Sequence, residues 1–173
     1  MNIKEGIRVI EGFPTPDISF KDITTLIGDK DLFRQTVDEM TAALDFTPDV
    51  ICGPEARGFI FGTAMAYKIG AGFVPIRKPG KLPYETISSS YSLEYGSDTV
   101  EMHKDAVKPG QKVLICDDLI ATGGTLLACA DMVERLGGVV AGIMALIELT
   151  DLPGRKLIEE RGYKLYTLVK YDH

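Results

Sequence analysis

The chain has 173 residues, 45% of them hydrophobic, with 19 basic and 25 acidic side chains and a formal net charge of −6. That length suits one domain whose core needs no disulfide or metal staple. The acidic balance argues against a protein that coats nucleic acid or acidic membranes, which carries a basic excess.

At the N-terminus, Met1-Asn-Ile-Lys-Glu-Gly6 has charge where a secretory leader needs an apolar run, and no segment approaches the ~20 apolar residues of a membrane span. A soluble, cytoplasmic protein is expected. Leu32, Phe33, Val37, Met40 and Leu44 recur at helical spacing behind Asp29 and Asp31, which suit an N-terminal cap. Asp49-Val-Ile-Cys52 reads as a short strand stopped by Gly53-Pro54, and Phe59 to Ile69 as a helix ended by Gly70. Phe73 to Ile76 is a second strand, followed by the basic turn Arg77-Lys-Pro-Gly-Lys81.

From Thr86 to His103 the pattern alternates. Ile87, Ser89, Tyr91 and Leu93 share one face and Thr99, Glu101 and His103 another, around a turn placed at Tyr95-Gly96-Ser97-Asp98. This predicts a β-hairpin more polar than a core sheet. Lys112 to Cys116 is the strongest strand, Asp117 to Gly124 a loop, and Leu126, Ala130, Val133 and Leu136 mark a helix stopped by Gly137-Gly138. A strand over Val139 to Leu149, a short helix over Arg155 to Glu160 and a strand over Leu165 to Val169 complete the chain. Strands alternating with helices imply an α/β fold with a mostly parallel central sheet covered on both faces. Ligands of such sheets bind beyond the carboxyl ends of the strands, so the loops after Cys52, Ile76 and Cys116 are the candidate binding edge.

The sharpest signal is Cys116-Asp-Asp-Leu-Ile-Ala-Thr-Gly-Gly-Thr125. Gly123 and Gly124 let the backbone curl so that N–H groups converge, Thr122 and Thr125 add hydroxyls, and the following helix adds its N-terminal partial charge. That combination suits a phosphate monoester. Asp117 and Asp118 repel phosphate and suit sugar hydroxyls or a cation, so the segment reads as a cradle for ribose 5-phosphate. It is neither a P-loop, which needs a Lys after its glycines, nor a G-x-G-x-x-G dinucleotide fingerprint.

This run resembles the phosphoribosyl-pyrophosphate motif of the type I phosphoribosyltransferases. Phe13-Pro-Thr-Pro16, Phe20-Lys-Asp-Ile23, Glu55-Ala-Arg-Gly-Phe59, Ile76-Arg-Lys-Pro-Gly-Lys-Leu-Pro83 and Tyr91-Ser-Leu-Glu-Tyr-Gly96 look, in order, like segments of its adenine-specific members. The resemblance implies one domain over 1–173, with a base-binding hood over about 13–28 and a hairpin flap over about 84–103. It also implies transfer of ribose 5-phosphate from phosphoribosyl pyrophosphate to adenine, giving AMP, with Mg²⁺ held mainly by the substrate's pyrophosphate and ribose hydroxyls. A homodimer is the implied assembly.

Site roles follow from the same resemblance. Arg57 meets the pyrophosphate with a forked donor, which Arg supplies better than Lys; Glu55 beside it is expected to point away or to orient neighbours. Arg77, Lys78 and Lys81 offer further cations to pyrophosphate, with Arg77 and Lys81 preferred. Glu94 sits near the reacting centre and Tyr95 helps close it. Phe20 stacks on the base beside Lys21, and Ala121 stands where 6-oxopurine relatives carry an acid. His103 reads as structural, and Cys52, Cys116 and Cys129, with no C-x-x-C pair, read as core in a reducing compartment. Two alternatives stay open: a phosphoribosyltransferase for another base, and a non-catalytic purine-responsive regulator. The charge also has local structure: between Ile51 and Lys81 five basic residues face one acid, a balance of +4 inside an acidic chain.

Overall fold

A computed structural model describes residues 1–93 and 96–173. Nine strands and five helices are named below in chain order. A hairpin of β1 (Arg8–Glu11) and β2 (Ser19–Asp22) is followed by one turn of helix, α1 (Thr24–Ile27), and by α2 (Lys30–Ala42). Then come β3 (Val50–Pro54), α3 (Arg57–Ile69), β4 (Gly72–Ile76), the hairpin β5 (Thr86–Ser92) and β6 (Ser97–His103), β7 (Lys112–Ile120), α4 (Gly124–Arg135), β8 (Val139–Leu149), α5 (Gly154–Glu160) and β9 (Leu165–Tyr171).

The central sheet has the order β4-β3-β7-β8-β9, and every pairing in it is parallel. Side chains alternate across it and divide the core into two layers. Cys52, Val113, Ile115 and Ala145 face a layer that includes Leu126, Cys129 and Val133 of α4. Ile51, Leu114, Cys116 and Met144 face the other, with Val37 and Met40 of α2 and Phe61 and Met65 of α3. Both faces are therefore dry, which is why these strands read as unbroken apolar runs. Burying a side chain such as the fully covered Phe61 contributes about 1.5–3 kcal/mol.

Local signals hold where expected. Asp29 caps α2, its carboxylate accepting from the N–H groups of Asp31 and Leu32, both at 2.9 Å; such a cap contributes about 1 kcal/mol. Gly70 ends α3 in the left-handed conformation. All three cysteines are buried and free, and burial pushes the Cys52 thiol up to about 12.

Two expectations are corrected. The segment read as a loop from Asp117 is strand as far as Ile120, because Asp117, Leu119 and Ile120 continue the ladder on Ala145, Ile147 and Glu148 of β8. The acidic pair therefore rides on a rigid strand end. The flap turn lies earlier than placed: Ser92 pairs with Ser97, and the Leu93 N–H donates to the Gly96 carbonyl at 2.9 Å. Within the segment expected to form the hood, β2 pairs antiparallel with β1, from Arg8 opposite Asp22 to Glu11 opposite Ser19.

The sheet has one switch point. From β3 the chain moves outward to β4, and after the flap it returns to the opposite side of β3 as β7. The loops after β3 and β7 lead to helices on opposite faces, opening a crevice between them.

Candidate active site

At the end of β7, Asp118 is 5% exposed and its Oδ2 lies 2.7 Å from Nε of Arg57, the first residue of α3. Asp117 lines the same cavity, and its Oδ1 accepts from the Asp118 N–H at 2.8 Å. Its pKa is pushed well above the ordinary carboxylate value, first by burial and then by the Asp118 charge. The two adjacent carboxylates thus differ in surroundings: Asp118 faces an arginine, whereas Asp117 is buried beside a like charge.

Gly53 makes the crevice narrow. A Cβ there would stand 2.5 Å from the Cys116 carbonyl, so only glycine lets β3 approach β7 this closely at the switch point. The next residues turn sharply, and the Glu55–Ala56 peptide is cis. Arg57 emerges from this turn with its guanidinium 5.6 Å from the centre of the Phe20 ring, so it spans from the hood to the acidic pair.

Beyond β7, residues Ala121 to Gly123 form a tight loop. Gly123 has φ +87°, a conformation that favours glycine, and is the N-cap of α4 with no side chain capping the helix. The first N–H groups of α4 thus have no side-chain cap, beside the Thr125 hydroxyl, in a cavity of about 200 Å³ lined from Asp117 to Leu126. Behind the loop, the Gly154 N–H donates to the Ala121 carbonyl at 3.1 Å. Thr122 is exposed and, with Gly124, lines a neighbouring groove beside Tyr91.

Two cations across the crevice, Arg77 and Lys78, are paired within the protein. Glu55 accepts from the Lys78 backbone N–H at 2.8 Å and from Arg77 Nε at 3.2 Å, orienting its neighbours as expected. Its pKa is lowered, chiefly by the Lys78 N–H. The Lys78 ammonium pairs with Asp98 on β6, while Lys81 is exposed. Arg77 also bridges to Glu101 through backbone bonds of 3.0 and 2.7 Å, tying the flap stem to the basic turn.

In the hood, adjacent side chains of β2 diverge. Phe20 meets Phe13 edge-on at 5.3 Å and faces Arg57. Lys21 is 7% exposed, donates to Ser19 O at 3.0 Å and Ser19 Oγ at 2.7 Å, and lies 5.1 Å from the Tyr171 ring. Its ammonium is thus occupied apart from the Phe20–Arg57 contact.

One cavity of about 300 Å³ collects Arg57, Lys78, Asp117, Asp118 and Thr125. Arg77, Lys81, Phe20 and Lys21 do not line it, and Glu94 and Tyr95 lie outside the described residues. Tyr91, Leu119 and Val100 line it and were not singled out from sequence. For Tyr91 the signal was present, since its alternation with Ile87 and Ser89 puts it on the inner flap face.

Comparison with known proteins points to the same chemistry. Residues 24–168 match the family model described as a phosphoribosyl transferase domain. Adenine phosphoribosyltransferases of Clostridium novyi and Alkaliphilus metalliredigens are 60% and 58% identical to the chain; the alignments cover 99% of this chain in both cases, and 99% and 100% of those proteins. The crystal structure of adenine phosphoribosyltransferase from Thermoanaerobacter pseudethanolicus superposes with a TM-score of 0.93 at 52% identity over 98% of each chain. That of the Saccharomyces cerevisiae enzyme, complexed with an imino-altritol bisphosphate and adenine, does so with a TM-score of 0.90 at 36% identity over 95% of each. The chain belongs to the phosphoribosyltransferase family, in its adenine phosphoribosyltransferase branch.

Proposed function

We propose that the chain transfers ribose 5-phosphate from phosphoribosyl pyrophosphate to N9 of adenine, releasing AMP and pyrophosphate, a pentosyl transfer of purine salvage. The observation that carries this reading is the crevice between β3 and β7, where Asp117 lines both the cavity that holds Arg57 and Lys78 and the one at the uncapped N-terminus of α4. A ribose with phosphate at one end and pyrophosphate at the other has that sequence of charges.

In this reading Gly123, Gly124, Thr122 and Thr125 hold the 5-phosphate, and Asp117 and Asp118 the ribose hydroxyls. Departure of pyrophosphate builds positive charge on the ribose ring, as in glycosyl transfer. Arg57, with Arg77, Lys78 and Lys81, stabilises the leaving anion. Phe20 stacks on adenine, with the Lys21 backbone beside it. Glu94 manages the proton lost by the base, and Tyr95 with the flap excludes water, which would hydrolyse the donor. Ala121 offers no acid to a 6-oxopurine, which favours adenine.

Mg²⁺ is commonly held by one or two carboxylates together with substrate phosphates. Here it would be held mainly by the substrate's pyrophosphate and ribose hydroxyls, with Asp117 and Asp118 beside those hydroxyls; no group of three or more potential ligands occurs among the described residues. When bound, the cation would neutralise pyrophosphate charge. The reading extends to a single domain with hood and flap, a cytoplasmic location and a homodimer, supported by family resemblance; no described helix is long and apolar enough to cross a membrane.

The test is a base panel with phosphoribosyl pyrophosphate and Mg²⁺. Adenine should be converted to AMP, with hypoxanthine, guanine, xanthine and pyrimidines poor. Equal turnover of hypoxanthine or guanine would overturn the base assignment, and no product with any base would favour a regulator.

A further inference from the structure

Lys78 faces the cavity but its ammonium is already occupied. Its partner, Asp98, comes from the flap and is not one of the residues that hold substrate in the reading above. Asp98 is positioned from two sides: its Oδ2 accepts from the Tyr91 hydroxyl at 3.0 Å and its Oδ1 from the Thr99 N–H at 2.9 Å. Tyr91 and Asp98 are direct cross-strand partners. The Tyr91 ring lies against the phosphate loop, where a Cβ on Gly124 would stand 3.1 Å from its Cδ2. One carboxylate therefore connects the basic turn, the flap and the phosphate loop.

The pair is built to exchange. The Lys78 side chain is 42% exposed and that of Asp98 34%, so water screens their attraction and the contact is weak. Each holds the other in its charged form, the contact raising the Lys78 pKa and lowering that of Asp98. A pyrophosphate presents several anionic oxygens to the same ammonium and outcompetes one carboxylate.

We propose that Asp98 is a positioning residue: an internal anion that holds Lys78 at the cavity until pyrophosphate replaces it, so that donor entry frees the inner face of the flap. This rests on Lys78 being a pyrophosphate ligand. It has a consequence that damage to the fold would not mimic, since removing the Asp98 charge should tighten pyrophosphate binding.

The experiment is calorimetric titration of magnesium pyrophosphate into the full chain and into Asp98→Asn, Lys78→Gln and the double variant. Asp98→Asn keeps an acceptor for Tyr91 and should bind about two- to fivefold tighter, the range open to a partly exposed ion pair. Lys78→Gln should bind more weakly, and in that background Asp98→Asn should give no gain. If Asp98→Asn binds equally or less tightly while Lys78→Gln weakens binding, the exchange is wrong and the pyrophosphate assignment stands. A gain that persists in the double variant would reduce Asp98 to a general repulsive charge and overturn the proposal. If Lys78→Gln leaves affinity unchanged, Lys78 is not a pyrophosphate ligand and the proposal falls with that assignment.

Discussion

Two regions of the molecule use ion pairs differently. Under α5, Arg155 donates to both oxygens of Glu148 at 2.8 and 2.7 Å and to Glu159 at 2.8 Å, while the Thr167 hydroxyl donates to Glu148 at 2.9 Å. Glu148 is 4% exposed, so this cluster replaces its hydration completely and joins α5 to β8 and β9. In the crevice the pairs Arg57–Asp118, Arg77–Glu55 and Lys78–Asp98 each rest on a single side-chain contact and leave the cation partly exposed. The first kind holds elements together; the second, in the reading proposed above, keeps cations aimed at the crevice until a substrate anion arrives. The difference lies in the number of bonds rather than in exposure, since Arg155 at 33% and Arg77 at 36% are about equally exposed and Asp118 is as buried as Glu148.

Substitutions can break this contrast, and the largest effect belongs to the crevice. Arg57→Ala should lower kcat/KM for the donor on the order of 100-fold, the scale seen when one preorganised donor to a developing anion is removed. Arg57→Lys should recover little, since an ammonium lacks the fork that reaches Asp118 and a phosphate together. Steady-state kinetics checks both.

Arg155→Met should do the reverse. Breaking a buried pair costs about 3–5 kcal/mol, and the partial exposure of Arg155 reduces this to about 1–3 kcal/mol. At about 2–4 °C per kcal/mol for a chain of this size, the melting temperature should fall by several degrees while kcat for the folded fraction stays close to that of the unchanged chain. A large loss of kcat with unchanged melting would erase the distinction between the two regions.

The smallest effect sharpens the contrast through pH. Asp22 accepts from the Thr24 hydroxyl and N–H and from Arg8, which together hold its pKa at about 2 rather than 3.8. A depressed carboxylate stabilises the fold fully above its unfolded value and loses that contribution as pH falls through the folded one. Asp22→Asn should therefore flatten the stability profile between about pH 4 and pH 2, by less than about 1 kcal/mol because Arg8 is half exposed. Urea midpoints across that range give the comparison.

Much of the architecture was legible because apolar runs and glycines report local physics. Lys112 to Cys116 reads as a buried strand whatever surrounds it, and Asp29 caps its helix within its own turn. The extension of β7 through Asp117 and Asp118 was not legible, since two carboxylates at a strand end look like a loop until the β8 ladder is in place. Lys21 shows the same limit at the site. Its neighbour Phe20 suggests a shared role, yet strand alternation sends Lys21 to Tyr171, 150 residues away in the chain. Asp98 looked like a turn residue, and only the flap register put it opposite Tyr91 and within reach of Lys78.

The sequence by itself determined the alternation of strands and helices, the glycine-rich loop ahead of α4, and the concentration of basic residues in an acidic chain. Each depends on residues close along the chain, where backbone preference and periodicity act directly. Only the tertiary structure decided which acid faces which cation, how tightly each is held, and which side of the hood is free. Those depend on strand order and burial, and long-range pairing sets how many bonds join a cation to its carboxylate, two between Arg155 and Glu148 and a single side-chain contact in each crevice pair.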